Sequence, residues 1–243
     1  MNDVRPPGVE GWLTAGQASM LAAVAAACPP DGEIVEIGSF RGLSTIVLAA
    51  HAPEGAAIVA IDPHAGNDRG PGELDGYGAE AAADRRAFED NLVNAGVRHR
   101  VRHVRSTSAE AHDAVHAEID VLYIDGAHRY GPARTDLRDW GRRVATGGTL
   151  LVHDAFSSIG VTAAIGRELV FGRRFRYVGR SRSLAAYRAD LAGAGFRARA
   201  RNSLVQVAQF GWFARNVAIK VLLTLGGGRL LARLGRPVPE WPY

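Results

Sequence analysis

The sequence predicts an α/β fold with a doubly wound, mostly parallel sheet of seven strands. Short apolar segments, several ending in Gly or Asp, alternate with helical segments along most of the 243 residues. This alternation is typical of a parallel sheet with helices on both faces. A chain of this length can bury one sizeable core, so we expect one domain over residues 1–190 and a helical C-terminal appendage over residues 191–243.

The predicted elements follow one another in a regular order. Strands are expected over residues 34–38, 58–62, 100–105, 121–125, 149–154, 175–178 and 184–187. Helices are expected over residues 14–27, 43–51, 80–95, 108–117, 131–143, 160–170 and 204–225. Residues 63–79 are polar and rich in Gly and Pro, and a loop of this length predicts a lid or substrate loop.

The first strand runs into a loop bounded by Gly38 and Gly42. A dinucleotide-binding turn would have a glycine where this chain has Phe40. Glu36 would also be a poor neighbour for a pyrophosphate held at a helix N-terminus. A carboxylate there suits a ligand with a cationic ammonium or sulfonium, and S-adenosylmethionine is such a ligand.

The second strand ends in Asp62, about 20 residues after the glycine loop. An acidic residue at this position is placed to bind the hydroxyls of a ribose. Two alternatives stay open, a helix N-cap for Asp62 and an exposed loop acid for Glu36. The two acids together indicate a nucleoside ligand with a positive charge.

Two further acids end neighbouring strands of the predicted sheet. Asp125 ends the fourth strand, His128 follows three residues later, and Asp154 ends the fifth strand. Two carboxylates at one sheet edge suit a hard divalent cation such as Mg²⁺. The candidate catalytic residues are His128 and Asp125. His128 could remove a proton from a substrate hydroxyl, although a lone loop histidine is more often a solvated or capping residue.

These motifs resemble the class I S-adenosylmethionine-dependent methyltransferases over residues 10–188. The similarity is closest to small-molecule O-methyltransferases, of the catechol type and of the bacterial group that acts on natural-product sugars. It implies a Rossmann-like methyltransferase fold and places Asp125 and Asp154 at metal-ligand positions, with His128 where the catechol enzymes carry a lysine base. It also implies a set of cofactor-binding residues: Glu36, Gly38, Ser39, Phe40, Gly42, Ser44, Asp62, Ser108 and Asp125.

One residue departs from the family pattern. Ala155 stands where the family has Asn or Asp as a third metal ligand. His153 is expected to point away from Asp154, because side chains alternate along a strand. The sequence therefore leaves open a weak Mg²⁺ site or metal-free base catalysis by His128.

The function expected from these residues is methyl transfer to a hydroxyl of a small molecule, with a sugar or a lipid-linked glycan as the acceptor. Two alternatives are a membrane-associated binding module without catalysis and a nicotinamide-dependent oxidoreductase. The oxidoreductase is disfavoured because the chain lacks a Tyr-x-x-x-Lys pair, its only lysine being Lys220.

Charge is unevenly distributed along the chain. Residues 1–172 hold 15 arginines and 23 acidic residues, whereas residues 173–243 hold 14 basic and two acidic residues. The mostly apolar segment 204–225 precedes further arginines that reach residue 236. Residues 204–236 therefore predict a helix at an anionic membrane surface. A homo-oligomer contact and a helix buried on the domain stay open as alternatives.

We expect a cytoplasmic protein, peripheral at the inner face of the membrane. The apolar segment 20–28 lacks a basic stretch before it, and no run of 18 apolar residues is present. The single cysteine, Cys28, excludes an internal disulfide framework and a thiolate-rich metal site. No nucleic-acid partner is expected, because the basic residues lack a binding motif.

Overall fold

A computed structural model describes residues 3–66, 78–227, 232–233 and 237–238. It contains one seven-stranded sheet in the order β3-β2-β1-β4-β5-β7-β6. The pairs from β3 through β5 are parallel, and β7 is antiparallel to both β5 and β6. The strands are β1 Glu33–Ile37, β2 Ala57–Ile61, β3 Val101–Val104, β4 Ile119–Ile124, β5 Val144–Val152, β6 Arg176–Ser181 and β7 Leu184–Arg188.

The order in which strands are added to the sheet reverses between the parallel neighbours β1 and β4, and this places the ligand site. Ligands of open α/β sheets bind beyond the carboxyl ends of strands at this switch point. Among the described residues, the α-helices are α1 Ala15–Ala26, α2 Leu43–His51, α3 Gly78–Asn94, α4 Tyr130–Asp139, α5 Ile159–Ile165 and α6 Phe196–Thr224. The predicted doubly wound fold is confirmed, as are its seven strands.

Alternation along the strands divides the core between the two sheet faces. On β1, Ile34 packs in the cluster that includes α1 and α2, whereas Val35 packs in the cluster that includes α4 and α5. Both residues are fully buried. Because successive side chains point to opposite faces, a strand covered on both sides is apolar throughout. This explains the short continuous apolar segments of the sequence.

Two predicted helices differ from the structure. The segment 108–117 contains only a single 3-10 turn, Ala111–Ala114. Side chains from beyond the segment hold its backbone, because Trp140 donates to the Ser108 carbonyl and Arg143 to the His112 carbonyl. At the C-terminus, α6 begins at Phe196, eight residues earlier than predicted, because its first two turns are polar.

Helix α6 lies on the domain with its polar side inward. Asn202, Gln206 and Asn216 are buried, whereas Leu204 and Leu225 are 69% and 81% exposed. The partly buried aromatic residues Phe210, Trp212 and Phe213 pack against the core on the α4 and α5 side of the sheet. Within the described parts of the chain, no helix has the length and apolar composition needed to cross a membrane.

Candidate active site

The loop after β1 folds back tightly on the end of β4. Gly38 and Gly42 have φ angles of 85° and 87°, in the region that glycine enters without strain. A Cβ atom on Gly38 would collide with the carbonyl oxygen of Asp125. Phe40 has a φ of 46°, which is uncommon for a bulky residue. The neighbouring strand and the side chains around the loop therefore have to hold this conformation.

Asp62 provides part of that support. Its Oδ2 atom accepts hydrogen bonds from the backbone N–H groups of Ser39, at 2.8 Å, and Phe40, at 2.9 Å. Its Oδ1 atom accepts one from the N–H of His64, at 2.7 Å. A carboxylate offers about four lone-pair sites, so these three bonds leave Oδ1 able to accept another donor. Asp62 thus shapes the loop and can still bind a ribose hydroxyl.

Glu36 supports the loop from behind. The carboxylate is completely buried and accepts hydrogen bonds from the hydroxyls of Ser44, at 2.5 Å, and Thr45. Burial raises the pKa of Glu36 to about 8, although the two hydroxyl donors oppose the rise. Glu36 does not line the cavity described below, so its described contacts tie β1 to the first turn of α2.

A large cavity opens above the ends of β1, β2 and β4. Its volume is about 1190 Å³, above the roughly 300 to 1,000 Å³ of a typical small-molecule pocket. Of the predicted cofactor residues, seven line it: Gly38, Ser39, Phe40, Ser44, Asp62, Ser108 and Asp125. Glu36 and Gly42 do not. The cavity has room for a nucleoside cofactor and a second molecule.

Ser108 lines the cavity and is hydrogen-bonded to an acidic residue. Its hydroxyl donates to Asp136 Oδ1 at 2.5 Å, and Asp136 also lines the cavity. Asp136 belongs to the charged helix α4 but is only 3% exposed. Burial raises the pKa of Asp136 to about 6, against the opposing effect of Ser108. This pair adds a polar wall to the cavity.

Elsewhere on the cavity, five side chains at or just beyond the ends of β4 and β5 form one cluster. His128 Nε2 lies 3.0 Å from Asp154 Oδ2. His153 Nδ1 lies 3.2 Å from Asp125 Oδ1 and 3.6 Å from Asp154 Oδ2. The hydroxyl of Tyr123 donates to Asp125 Oδ2 at 2.9 Å. The two carboxylates are therefore each in contact with an imidazole.

The prediction that His153 points away from Asp154 is wrong. Strand β5 ends at Val152, and Asp154 has a φ of 52°, so strand alternation does not extend to these residues. The left-handed turn brings the Asp154 carboxylate back over the sheet edge beside His153. Both side chains line the cavity together with His128.

The charges of this cluster shift the pKa values of its side chains. Contact with Asp154 raises the pKa of His128 above its usual value, although burial opposes this. Burial lowers the pKa of His153, but the neighbouring charges of Asp125 and Asp154 outweigh it and raise that pKa. The two imidazoles in turn hold the pKa of Asp154 far below its ordinary value, against its burial. Such shifted groups in a cavity indicate a functional site.

The same cluster could hold a metal ion. One ligand atom each from Asp125, His128 and Asp154 lie within 4.8 Å of one another. Two carboxylates and one imidazole fit a divalent cation, but Mg²⁺ prefers oxygen ligands in an octahedral arrangement. Ala155 is fully buried and offers no side-chain ligand at the third position that the family resemblance implies. The donor set is therefore incomplete for an ordinary Mg²⁺ site.

Comparison with known proteins identifies the chain. Residues 35–155 match the family model described as "Methyltransferase domain". The chain is a class I S-adenosylmethionine-dependent methyltransferase. The matched segment runs from β1 to Ala155, so it contains all of the predicted cofactor residues and the Asp125–Asp154 cluster. The family and the cofactor predicted from the sequence are confirmed, and neither alternative function gains support.

Solved structures share the fold of this methyltransferase. The O-methyltransferase NovP is 19% identical, with a TM-score of 0.56 over 72% of this chain and 80% of that chain. A cofactor-bound protein from MTB, Rv0187, is 18% identical, with a TM-score of 0.52 over 77% of this chain and 84% of that chain. These similarities establish the architecture.

Several cavity residues of the methyltransferase were missed by sequence reasoning. Trp12 comes from the segment before α1 and packs on Phe40, with ring centroids 5.0 Å apart. Ser157 follows β5, and Lys220 comes from α6, far from the recognised motifs. No local pattern marks these residues, because only the packing of α6 and the N-terminal segment brings them to the cavity. Residues 67–77 of the predicted lid lie outside the described residues.

Proposed function

We propose that this methyltransferase transfers the methyl group of S-adenosylmethionine to a hydroxyl of a small molecule, with His128 as the base. The observation that carries the proposal is the 3.0 Å contact between His128 Nε2 and Asp154 Oδ2 on the cavity wall. A sugar or a lipid-linked glycan is the proposed acceptor. NovP, which shares the fold, is an O-methyltransferase, and this supports an oxygen acceptor.

The proposed reaction is a displacement at the methyl carbon. The acceptor oxygen forms a bond to that carbon while the bond from carbon to sulfur breaks, so S-adenosylhomocysteine leaves as a neutral thioether. The hydroxyl proton passes to His128, and the Asp154 carboxylate stabilises the imidazolium that forms. The remaining catalytic work is the alignment of oxygen, carbon and sulfur by the cavity.

The proposed cofactor position follows from the described contacts. Asp62 binds a ribose hydroxyl through the accepting capacity left on Oδ1. Ser108, paired with Asp136, lies at the adenine end, and the glycine loop with Ser44 lies at the methionine end. Asp125 lies between these ends and beside His153. This arrangement leaves the wall of His128 and Asp154 for the acceptor.

Calorimetric titration with S-adenosylhomocysteine, followed by a screen of hydroxyl acceptors, tests this function. We expect micromolar binding to the wild-type protein and acceptor-dependent release of S-adenosylhomocysteine. Absence of binding would contradict the cofactor site. Binding without methyl transfer to any sugar or glycan hydroxyl would contradict the proposed reaction and favour a binding module.

A metal-assisted version of the reaction is the second candidate. Asp125, His128 and Asp154 would hold the cation, which, when bound, lowers the pKa of an acceptor hydroxyl. The contacts of both carboxylates with imidazoles and the apolar Ala155 favour the metal-free version. Activity lost on chelation and restored by Mg²⁺ or Mn²⁺, with unchanged S-adenosylhomocysteine binding, would support the metal-assisted version.

We further propose that residues 204–236 contact an anionic membrane surface from the cytoplasmic side. The outward face of α6 supports this, since Leu204, Val207, Val221, Leu222 and Leu225 are all exposed. Arg215 is also exposed on this helix, and the sequence after Leu225 is basic. Helices of this composition lie in a membrane interface. Homo-oligomerisation through the same face is the alternative outcome.

A further inference from the structure

Helix α6 is fastened to the domain by uncharged side chains. The side-chain amides of Asn202, Gln206 and Asn216 donate to backbone carbonyl oxygens of the domain at distances of 3.1 to 3.3 Å. All three side chains are buried, and the residues recur on one side of the helix. Neutral amide donors therefore make three of the contacts that hold α6 in place.

Lys220 continues the same side of α6, one turn after Asn216, but it carries a charge. Its Nζ atom donates to the carbonyl oxygen of Ser157 at 3.0 Å and to the Ser157 hydroxyl at 3.1 Å. Partial burial lowers the pKa of Lys220, although the neighbouring charge of Asp154 opposes this. An amide would make a comparable docking contact at Ser157 without the cost of burying a charge. Docking alone therefore does not require an ammonium at this position of the cavity.

The location of Lys220 indicates which ligand it meets. Lys220 and Ser157 line the same cavity as His128 and Asp154, on the wall left for the acceptor. Lys220 is also the only lysine of the chain, in which arginine is otherwise used throughout. An ammonium is a compact point donor, whereas a guanidinium is a larger planar fork. Helix α6 thus supplies a compact positive charge to the wall that carries the base.

We propose that Lys220 binds a negatively charged group of the acceptor, a phosphate or a carboxylate, close to the hydroxyl that is methylated. This inference rests on the proposed function and specifies its substrate class. An ammonium pairs with a phosphate or with a carboxylate, so the geometry indicates only that the acceptor group is negatively charged. The experiment below distinguishes the phosphate from the carboxylate. The appended helix is then part of the substrate site and sets its specificity.

The single lysine allows a direct test in the full-length protein. With S-adenosylhomocysteine at saturation, reductive methylation of Lys220 is followed by mass spectrometry, with the α-amino group as an internal reference. Glucose 1-phosphate, glucuronate and glucose are the probes, at equal ionic strength. We expect the sugar phosphate or the sugar acid to slow the labelling of Lys220 about tenfold relative to glucose. If only one of the two anions protects Lys220 from labelling, the acceptor carries that type of group, a phosphate or a carboxylate.

Two outcomes overturn the inference: equal protection by glucose, or protection by neither anion. S-adenosylhomocysteine binding is measured on the same sample to distinguish two failures. Loss of this binding would contradict the proposed function. Normal binding without protection by either anion would contradict only the role of Lys220. Calorimetry with the protecting probe should show about tenfold weaker binding for Lys220→Met. Lys220→Arg, which keeps the charge but not the compact shape, should recover only part of that affinity. Arg215→Met removes an exposed positive charge of the same helix that does not line the cavity, so it should leave probe binding unchanged.

Discussion

The Asp62 carboxylate accepts a hydrogen bond of 2.9 Å from the backbone N–H of Phe40, 22 residues earlier in the chain. The acid proposed to bind the ribose therefore also holds Phe40 at its positive φ of 46°. Loop shape and ligand recognition depend on one side chain. This coupling determines what substitutions at Asp62 will do.

Asp62→Ala should weaken both cofactor binding and folding. Three backbone N–H groups lose their acceptor, and hydrogen bonds to a charged group make a net contribution of about 1.5 to 3 kcal/mol each. Water entering the space left by the carboxylate replaces part of this loss. We expect a fall of about 2 to 4 kcal/mol in the free energy of unfolding, measured by urea denaturation. S-adenosylhomocysteine affinity should fall by at least about a hundredfold.

Asp84→Asn is the matched control for Asp62. Asp84 lines the same cavity and pairs with Arg41 at 2.8 Å, but it makes no described contact with the loop backbone. Its substitution should change affinity by less than about threefold, because a partly exposed ion pair contributes little. An Asp62→Ala protein with normal affinity would refute the assignment of the ribose site.

Glu36 should make the protein less stable as the pH rises. The pKa of Glu36 is about 8 in the folded state and near 4.5 when unfolded, so between these values the folded state retains a proton that the unfolded state releases. The free energy of unfolding therefore falls between about pH 4.5 and pH 8, by about 1.4 kcal/mol per pH unit at most. Glu36→Gln should flatten this part of the stability curve.

Thermal denaturation at pH 5 and pH 8 measures this effect as the difference between wild type and Glu36→Gln. Glu33→Gln, on the same strand, is the control, because Glu33 is only partly buried and pairs with Arg102 at a distance of 3.9 Å. The control should follow the wild-type curve. Parallel curves for wild type and Glu36→Gln would show that Glu36 is not protonated at neutral pH.

Asp154→Asn should lower the pKa of His128. The neighbouring carboxylate raises that pKa above 6.5 in the wild-type protein, and an amide removes the charge. A histidine with a raised pKa is protonated below that value and becomes a base only above it, so the substitution moves the titration to lower pH. NMR titration of the imidazole signals, with His128→Gln to assign them, measures the shift. An unchanged midpoint would contradict the contact.

The exposed face of α6 should bind anionic vesicles. Leu204→Ser with Leu225→Ser removes two of its exposed side chains, and burying a leucine contributes about 1.5 to 3 kcal/mol. We expect at least about tenfold weaker co-sedimentation with phosphatidylglycerol vesicles. Val178→Ser, an exposed apolar residue on β6, is the control and should have no effect. Wild-type binding that is equal on neutral vesicles, or a dimer in light scattering, would contradict an anionic membrane partner.

The fold and the outline of the site could be predicted from the sequence because their signals are local. Strands buried on both faces are short apolar segments, and β1 with its glycine loop places Gly38 and Asp62 at one sheet edge. Family, fold and cofactor were therefore predicted correctly. The roles given to the individual site residues, and the domain boundary after residue 190, stay predictions.

Other features could not be predicted, because they depend on distant packing. The His153 prediction failed because the strand ends one residue before it. The buried contact of Asp136 with Ser108 joins residues 28 positions apart, so no local pattern marks it. In the sequence, the polar side of α6 cannot be told from one that faces solvent. Only its contacts with carbonyl oxygens of the domain show that it faces the domain. Lys220 reaches the cavity for the same reason.

The most direct test of the proposed reaction compares wild type with His128→Ala at saturating S-adenosylmethionine. The account predicts that turnover of a hydroxyl acceptor falls by about a hundredfold or more, as expected for loss of a general base. S-adenosylhomocysteine should still bind with wild-type affinity, because no proposed cofactor contact involves His128. Undiminished turnover in His128→Ala would contradict the role of His128 as the base.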